Sequence, residues 1–248
     1  MREIRVYHGQ PIISGQIISI EGETAHHLLR VLRVKSGRIL HLFNGEGGYY
    51  VANVIDTEKH SLSALPTEHV SDDRESNLNL ILVQGISRGQ KMDYTIQKAV
   101  ELGVSCIIPV MTEFSNVKLT RERAATRVAH WRKIIINACE QCGRNRVPEI
   151  LEPRSLVDWM EIDKSRTKLL LHPDAGRSPD EIALPEPEVS LLCGPEGGLS
   201  DSDRDTAVSN GYQAVRLGPR ILRTETAAVA AITVCQSLWG DMGRTGGE

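Results

Sequence analysis

The 248-residue sequence is short of several features at once, and each shortage narrows the reading. No stretch approaches the ~18 apolar residues that a membrane-spanning helix needs, so no membrane partner is expected. The opening Met1-Arg2-Glu3-Ile4-Arg5 lacks the apolar run of a secretory signal, and a soluble, cytoplasmic protein is the expectation. Cysteine is sparse and odd in number: Cys106, Cys139, Cys142, Cys193 and Cys235 are scattered through apolar segments. Cys139-x-x-Cys142 has zinc-like spacing, but no second ligand pair stands at a suitable distance, so reduced, buried thiols and no metal are expected. Familiar phosphate loops are missing as well. No Lys follows Gly197-Gly198, as a P-loop requires, and neither glycine-bearing run near the C-terminus reads G-x-G-x-x-G.

Those two runs carry the strongest signal that is present. Gly194-Pro195-Glu196-Gly197-Gly198-Leu199-Ser200 follows an apolar stretch at 189–193, and Leu217-Gly218-Pro219-Arg220-Ile221-Leu222-Arg223-Thr224-Glu225-Thr226-Ala227 follows another at 214–217. Each leads into a helix-like segment. Glycine at such a junction lets the backbone turn sharply and approach a ligand closely. Two such turns, one strand apart, would enclose a small molecule at the carboxyl edge of a parallel sheet. The plainer alternative is a pair of tight strand-to-helix turns, which leaves the polar string Arg223-Thr224-Glu225-Thr226 without a packing role.

Residues 1–70 read as β-rich, with short strands at 12–13, 16–20, 38–43 and 49–55, a turn at 44–48 and one helical stretch at 24–34. A small barrel closes many short strands economically. The polar segment 71–77 reads as a linker. Beyond it, strand-length apolar runs at 78–83, 106–110, 168–171, 189–193 and 214–217 alternate with helical patterns, clearest at 92–102 and 122–142. That alternation predicts a parallel sheet with helices on both faces. The last helix, 224–239, is apolar nearly all round and must be covered on more than one side, by its own core or by a second subunit.

The net charge is −3, but residues 118–146 hold eight basic side chains against two acidic ones. This segment thus carries +6 and the rest of the chain −9. A one-sign segment in an otherwise acidic protein favours a phosphate-rich partner over a merely solvated helix face. Within 1–70 the charges balance, with Arg30, Arg33, Lys35 and Arg38 crowding the end of the helical stretch and the turn after it.

The two C-terminal motifs, with His27-Leu28-Leu29-Arg30-Val31-Leu32-Arg33, Gln97-Lys98-Ala99-Val100-Glu101-Leu102-Gly103 and Ala138-Cys139-Glu140-Gln141-Cys142-Gly143-Arg144, resemble the 16S ribosomal RNA uridine-N3 methyltransferases (the RsmE family) of the SPOUT superfamily. The resemblance spans nearly the whole chain. It implies an α/β fold with a SPOUT-type parallel sheet and C-terminal trefoil knot over 73–248, preceded by a small PUA-like β-barrel over 1–72 that binds RNA. It also implies a homodimer, S-adenosyl-L-methionine as cofactor, and 16S rRNA of the small ribosomal subunit as partner.

By matching motif, the cofactor residues implied are Leu171, His172, Gly194, Glu196, Gly197, Gly198, Leu217, Gly218, Ile221, Leu222 and Thr226. Loop backbone would read the adenine edge, and Leu171, Leu217, Ile221 and Leu222 would sandwich its faces; His172 reads equally as a strand-end turn residue. Uracil N3 is protonated at neutral pH, so the site must weaken that proton and aim the nitrogen in line. Arg223 is the leading catalytic candidate, stabilising the enolate-like oxygen; a salt bridge to Glu225 or Glu196 is its alternative role. Glu140, Gln141 and Arg144 share one side of a helix and form a second catalytic cluster facing a flipped nucleotide. The general base stays open among Glu140, Glu196, Glu225 and bulk water. Arg30, Arg33, Arg121, Arg127 and Arg132 are the RNA-binding candidates. Two other functions stay in play: a SPOUT enzyme with another target, and a non-catalytic rRNA-binding assembly factor.

Overall fold

A computed structural model describes residues 3–115, 121–184 and 186–243, with the Arg121 side chain left out. The chain divides into two compact units, Met1–Glu75 with Cys139–Val147, and Ser76–Ala138 with Pro148–Glu248. No helix among the described residues is long and apolar enough to cross a membrane.

The first unit holds a five-stranded half-barrel sheet built from β1 (Arg5–Tyr7), β2 (Ile18–Ile20), β3 (Ile39–Phe43), β4 (Tyr49–Thr57) and β5 (Leu62–Val70), in the order β1-β3-β4-β5-β2. β1 runs parallel to β3, and the remaining pairs are antiparallel. Side chains alternate between faces along a strand. Leu40 and Leu42 of β3 therefore join Ala52, Val54, Leu62 and Ala64 in one core, while Ile39 is exposed. Residues 12–13, expected as a strand, lie outside any strand: Ile12 plugs this core and Ile13 is exposed. The expected helical stretch is split into α1 (Gly22–His26) and a π turn at His27–Val31.

Segment 139–147, read from sequence as part of a basic helix and its end, is tied into this unit by named bonds. Asn145 Nδ2 donates to the Asp72 carbonyl at 2.7 Å, and Arg5 donates to Asn145 Oδ1. Arg144 Nε donates to Glu75 at 2.9 Å. The expected linker is accordingly ordered up to Glu75, where the chain leaves the first unit.

The second unit is an α/β fold around an all-parallel sheet. Its strands are β6 (Asn79–Gly85), β7 (Cys106–Met111), β8 (Glu149–Ile150), β9 (Arg154–Ser155), β10 (Thr167–Leu171), β11 (Glu188–Cys193) and β12 (Gln213–Val215). The order is β12-β10-β11-β6-β7-β8, with β9 also paired to β7. The helices are α2 (Gln90–Glu101), α3 (Arg121–Cys142), α4 (Leu156–Ile162), α5 (Asp201–Ser209) and α6 (Thr224–Trp239). One sheet face packs Val83, Ile108, Leu170 and Leu192 against Trp159 and Met160 of α4, Ala207 of α5 and Tyr212. The opposite face is covered by α6, which packs on β11 and against α2. Helices on both faces are thus observed. The order matters for function: β12, β10 and β11 are neighbours, so the loops after them leave one edge of the sheet side by side.

Candidate functional site

The loops after β10, β11 and β12 converge on a cavity of about 420 Å³, completed by Lys91 of α2 and by the first turn of α6. The carboxyl ends of parallel strands are where open α/β sheets bind ligands, and the volume suits a small molecule. Apolar walls come from Leu171, Pro173, Leu199, Leu217, Ile221 and Leu222. Polar groups come from the backbone of the turns, His172, Arg220, Arg223 and Thr224.

The glycines have separate physical reasons. Gly198 and Gly218 sit at φ 74° and 71°, in the left-handed region that side chains disfavour. A Cβ on Gly194 would lie 3.1 Å from the backbone carbon of Gly198 and 3.2 Å from the nitrogen of Leu199, because the turn folds back on itself there. A Cβ on Gly197 would lie 2.9 Å from Cβ of Phe114. The turn after β11 is closed by the Gly198 N–H donating to the Pro195 carbonyl at 2.9 Å.

Glu196 anchors this turn from outside. Its Oε1 accepts the Arg88 N–H at 3.0 Å and lies 3.7 Å from Lys91 Nζ. Partial burial works to raise its pKa, but the Arg88 N–H, its own N–H, Lys91 and the Ser87 hydroxyl together hold it below the ordinary carboxylate value. His172 lies at the end of β10, with Nδ1 accepting the Asp174 N–H at 3.2 Å and Nε2 3.0 Å from Arg204 Nη1. Burial first, and then the Arg204 charge, lower its pKa and favour the neutral ring.

Arg223 is exposed at the N-cap of α6 and lines the cavity. No carboxylate among the described residues pairs with it, so the alternative of a salt bridge to Glu196 or Glu225 is not what the structure contains. Glu196 is engaged by Lys91, and Glu225 has a buried Oε2 without a partner.

Ten of the eleven cofactor candidates, and Arg223, are brought together at this cavity; Thr226 is not. Thr224 and Ala227 line it instead. Residues three apart share a helix face, whereas Thr226 is displaced about 200° around the axis from Thr224. Glu140 and Arg144 are also not among its lining residues. They belong to the first unit, where Glu140 Oε1 accepts the Tyr7 N–H at 2.9 Å and the buried Arg144 guanidinium is spent on Glu75. Burial raises the Glu140 pKa, opposed by the Tyr7 N–H and by Arg5.

Of the RNA candidates, Arg30 and Arg33 are exposed beside the π turn. Arg33, at φ 53°, is the one non-glycine with positive φ among the described residues. Arg127 is half-buried and Arg132 exposed on α3, but five residues put them about 140° apart around the axis, so they do not form one stripe. Lys118 and the Arg121 side chain lie outside the described residues.

Sequence reasoning missed Lys91, Pro173, Cys193, Pro195, Leu199, Arg220, Thr224 and Ala227 as lining residues. Most stand inside or beside the two motifs and were reachable from them. Lys91 belongs to another strand-helix junction and carries no local signal.

Residues 74–236 match the RNA methyltransferase domain, and residues 20–66 match the RNA methyltransferase PUA domain. The two-unit fold with its loop-lined cavity is therefore that of an RNA methyltransferase joined to a PUA module. The ribosomal RNA small subunit methyltransferase E of Buchnera aphidicola (subsp. Acyrthosiphon pisum) is 34% identical over 238 residues, covering 96% of this chain and 94% of that relative. Its Bacillus subtilis counterpart is 30% identical, covering 90% and 91%. The crystal structure of ribosomal RNA small subunit methyltransferase E from Neisseria gonorrhoeae, bound to S-adenosyl methionine, is 40% identical with TM-score 0.90, covering 97% of this chain and 99% of that one. A Legionella pneumophila methyltransferase structure in complex with its cofactor SAM reaches TM-score 0.94 at 38% identity, covering 97% and 100%. The chain belongs to the ribosomal RNA small subunit methyltransferase E family.

Proposed function

We propose that this protein transfers a methyl group from S-adenosylmethionine to N3 of a uridine in 16S rRNA. The observation that carries the proposal is the cavity itself: three adjacent loops close around it, and an unpaired arginine stands in its wall. The residues fit the cofactor. Leu171, Leu217, Ile221 and Leu222 offer flat apolar contact to a heteroaromatic ring, and the glycine turns bring backbone donors and acceptors to its edge. When bound, S-adenosylmethionine supplies an electrophilic methyl on a sulfonium centre.

The chain's own contribution is orientation and charge. Holding the uracil N3 in line can lower the barrier by about 7–11 kcal/mol in favourable cases. The Arg223 guanidinium stabilises the oxygen that becomes anionic as N3 gives up its proton. Lys91 and Arg220 stand in the same wall and attract the phosphates flanking the target. Arg30, Arg33, Arg121, Arg127 and Arg132 are read as further RNA contacts, and Glu140 and Arg144 as residues that hold the first unit together.

We also read the C-terminal segment as the trefoil knot of the superfamily. After β12 the chain returns past β10 to place Thr224 against the turn following β11, which supports that threading. A homodimer is proposed because Ala227, Ala230, Val234 and Leu238 of α6 stay partly exposed while Ala228, Ala231, Ile232 and Cys235 fill the core. Work on ribosomal RNA places the protein in the cytoplasm.

The test is methyl transfer from S-adenosylmethionine labelled in its methyl group to small ribosomal subunits, followed by nucleoside mapping of the 16S rRNA. Label in 3-methyluridine is expected, with Arg223→Met losing transfer but keeping S-adenosylhomocysteine binding. Label in a ribose or in another base would move the protein to a different target. No label on any subunit or free rRNA, from a protein that binds the cofactor, would favour an assembly factor.

A further inference from the structure

Behind the cavity, at the end of central strand β6, a polar side chain stands among apolar ones. Leu80, Leu82 and Val83 are buried, and Gln84 is 1% exposed. Its Nε2 donates to the carbonyls of Gly85 at 3.0 Å and Gly194 at 3.2 Å, and lies 3.4 Å from Thr224 Oγ1. The Thr224 hydroxyl in turn donates to the same Gly194 carbonyl at 2.6 Å. The amide orientation follows from these neighbours, since a reversed amide would set Oε1 against two carbonyl oxygens.

Gln84 Oε1 is buried with no hydrogen-bond partner. An unsatisfied buried carbonyl is costly, and an apolar side chain of the same length would fill this position without that cost. Packing therefore does not explain the amide; what its nitrogen holds does. It grips Gly194, the first residue of the turn after β11, and Thr224, the first residue of α6. Two of the three cavity loops are thereby joined through one carbonyl, although they lie 30 residues apart in sequence.

We propose that Gln84 is a positioning residue: its amide locks the turn after β11 to the start of α6 and so sets affinity for the cofactor. The inference rests on reading the cavity as the S-adenosylmethionine site. Gln84 touches no ligand in this account. It acts through the Gly194 peptide and the Thr224 hydroxyl, and its loss loosens the cavity while leaving the transfer step intact once the cofactor is bound.

The test measures S-adenosylhomocysteine binding by calorimetry, together with KM for S-adenosylmethionine, kcat and thermal unfolding, for wild type, Gln84→Met, Thr224→Val, Thr224→Ser and the Gln84→Met/Thr224→Val pair. Gln84→Met is expected to weaken binding and raise KM by about tenfold, the scale of one net hydrogen bond, with kcat nearly unchanged. Thr224→Val should do the same and Thr224→Ser should restore affinity. The double variant should fall short of the product of the single losses, because both act on one carbonyl. Gln84→Asn, too short to reach Gly194, replaces Gln84→Met if the latter does not fold. A folded Gln84 variant with affinity within twofold of wild type overturns the proposal, as do losses that multiply. Failure of the wild type to bind S-adenosylhomocysteine overturns the cofactor reading itself, and the lock with it.

Discussion

Replacing Gly85 by alanine should damage the cavity from behind, without adding any atom inside it. Gly85 ends β6, and a Cβ built there would lie 2.5 Å from Pro195 Cδ, 2.6 Å from Pro195 N and 3.0 Å from the Gly194 carbonyl carbon. Comfortable contact starts near 3.4 Å, so the Gly194-Pro195 peptide has to retreat by about 0.9 Å. Nothing there can yield cheaply: one neighbour is a rigid ring and the other two are backbone. Overpacking of this kind costs about 1–3 kcal/mol, and each kcal/mol lowers Tm by about 2–4 °C in a chain of this size. Shifting a binding group by ~1 Å can cost ~10²-fold, so the Kd for S-adenosylhomocysteine should rise by roughly ten- to a hundredfold. Calorimetry and circular-dichroism melting measure both quantities. Gly176→Ala is the control, because a Cβ there meets nothing within 4 Å and its φ is not left-handed. A Gly85→Ala protein that binds with wild-type affinity and melts within a degree of wild type would show that the turn is not held against β6.

Neutralising Arg127 and Arg132 together should weaken binding to 16S rRNA and reduce the slope of log affinity against log salt by about 0.7–0.9 per lost phosphate contact; an unchanged slope would make both ordinary surface residues. Ala230→Arg should yield a folded monomer by light scattering, since Ala230 is only partly covered, whereas Ala231→Arg should unfold the chain because Ala231 is 2% exposed. A dimer surviving Ala230→Arg would remove α6 from the proposed interface. His172 has a folded-state pKa below its ordinary value, through burial and then Arg204. The unfolded chain therefore gains its proton first as pH falls below about 6.5, and the His172 contribution to stability is lost in that window. His172→Asn should flatten the fall in Tm between pH 7.5 and 5.5, and identical slopes would count against a lowered His172 pKa.

What could be read along the chain, and what could not, divides by the range of the physics involved. The parallel strands and α2, α3 and α6 appear close to their expected positions because apolar runs bounded by turn residues are local signals. β5 was harder to see, since Leu62–Val70 contains Pro66 and ends in charged residues. Proline in a sheet belongs at an irregularity, and Pro66 pairs with Ala52 where the β4–β5 register shifts. β1 is three residues long and half-polar, too short to show a period.

The site divides in the same way. Gly198 and Gly218 were legible because a left-handed φ is a demand each residue meets alone. Thr226 was misplaced by a phase that depends on where α6 starts, and Arg223 at the N-cap sets that start. Glu140 and Arg144 do share a helix side, as their spacing implied, but Tyr7 and Glu75 decide what that side meets, from 133 and 69 residues away. Gln84 stands one residue beyond an apolar run, and alone it reads as the polar end of a strand. Its meaning comes from Gly194 and Thr224, 110 and 140 residues downstream. The glycine motifs thus announce a ligand turn, while the groups that hold the turn in place are scattered at sequence distances where no periodicity connects them. Variants drawn from the motifs alone would test only the cavity's lining; those at Gln84 and Gly85 test what supports it.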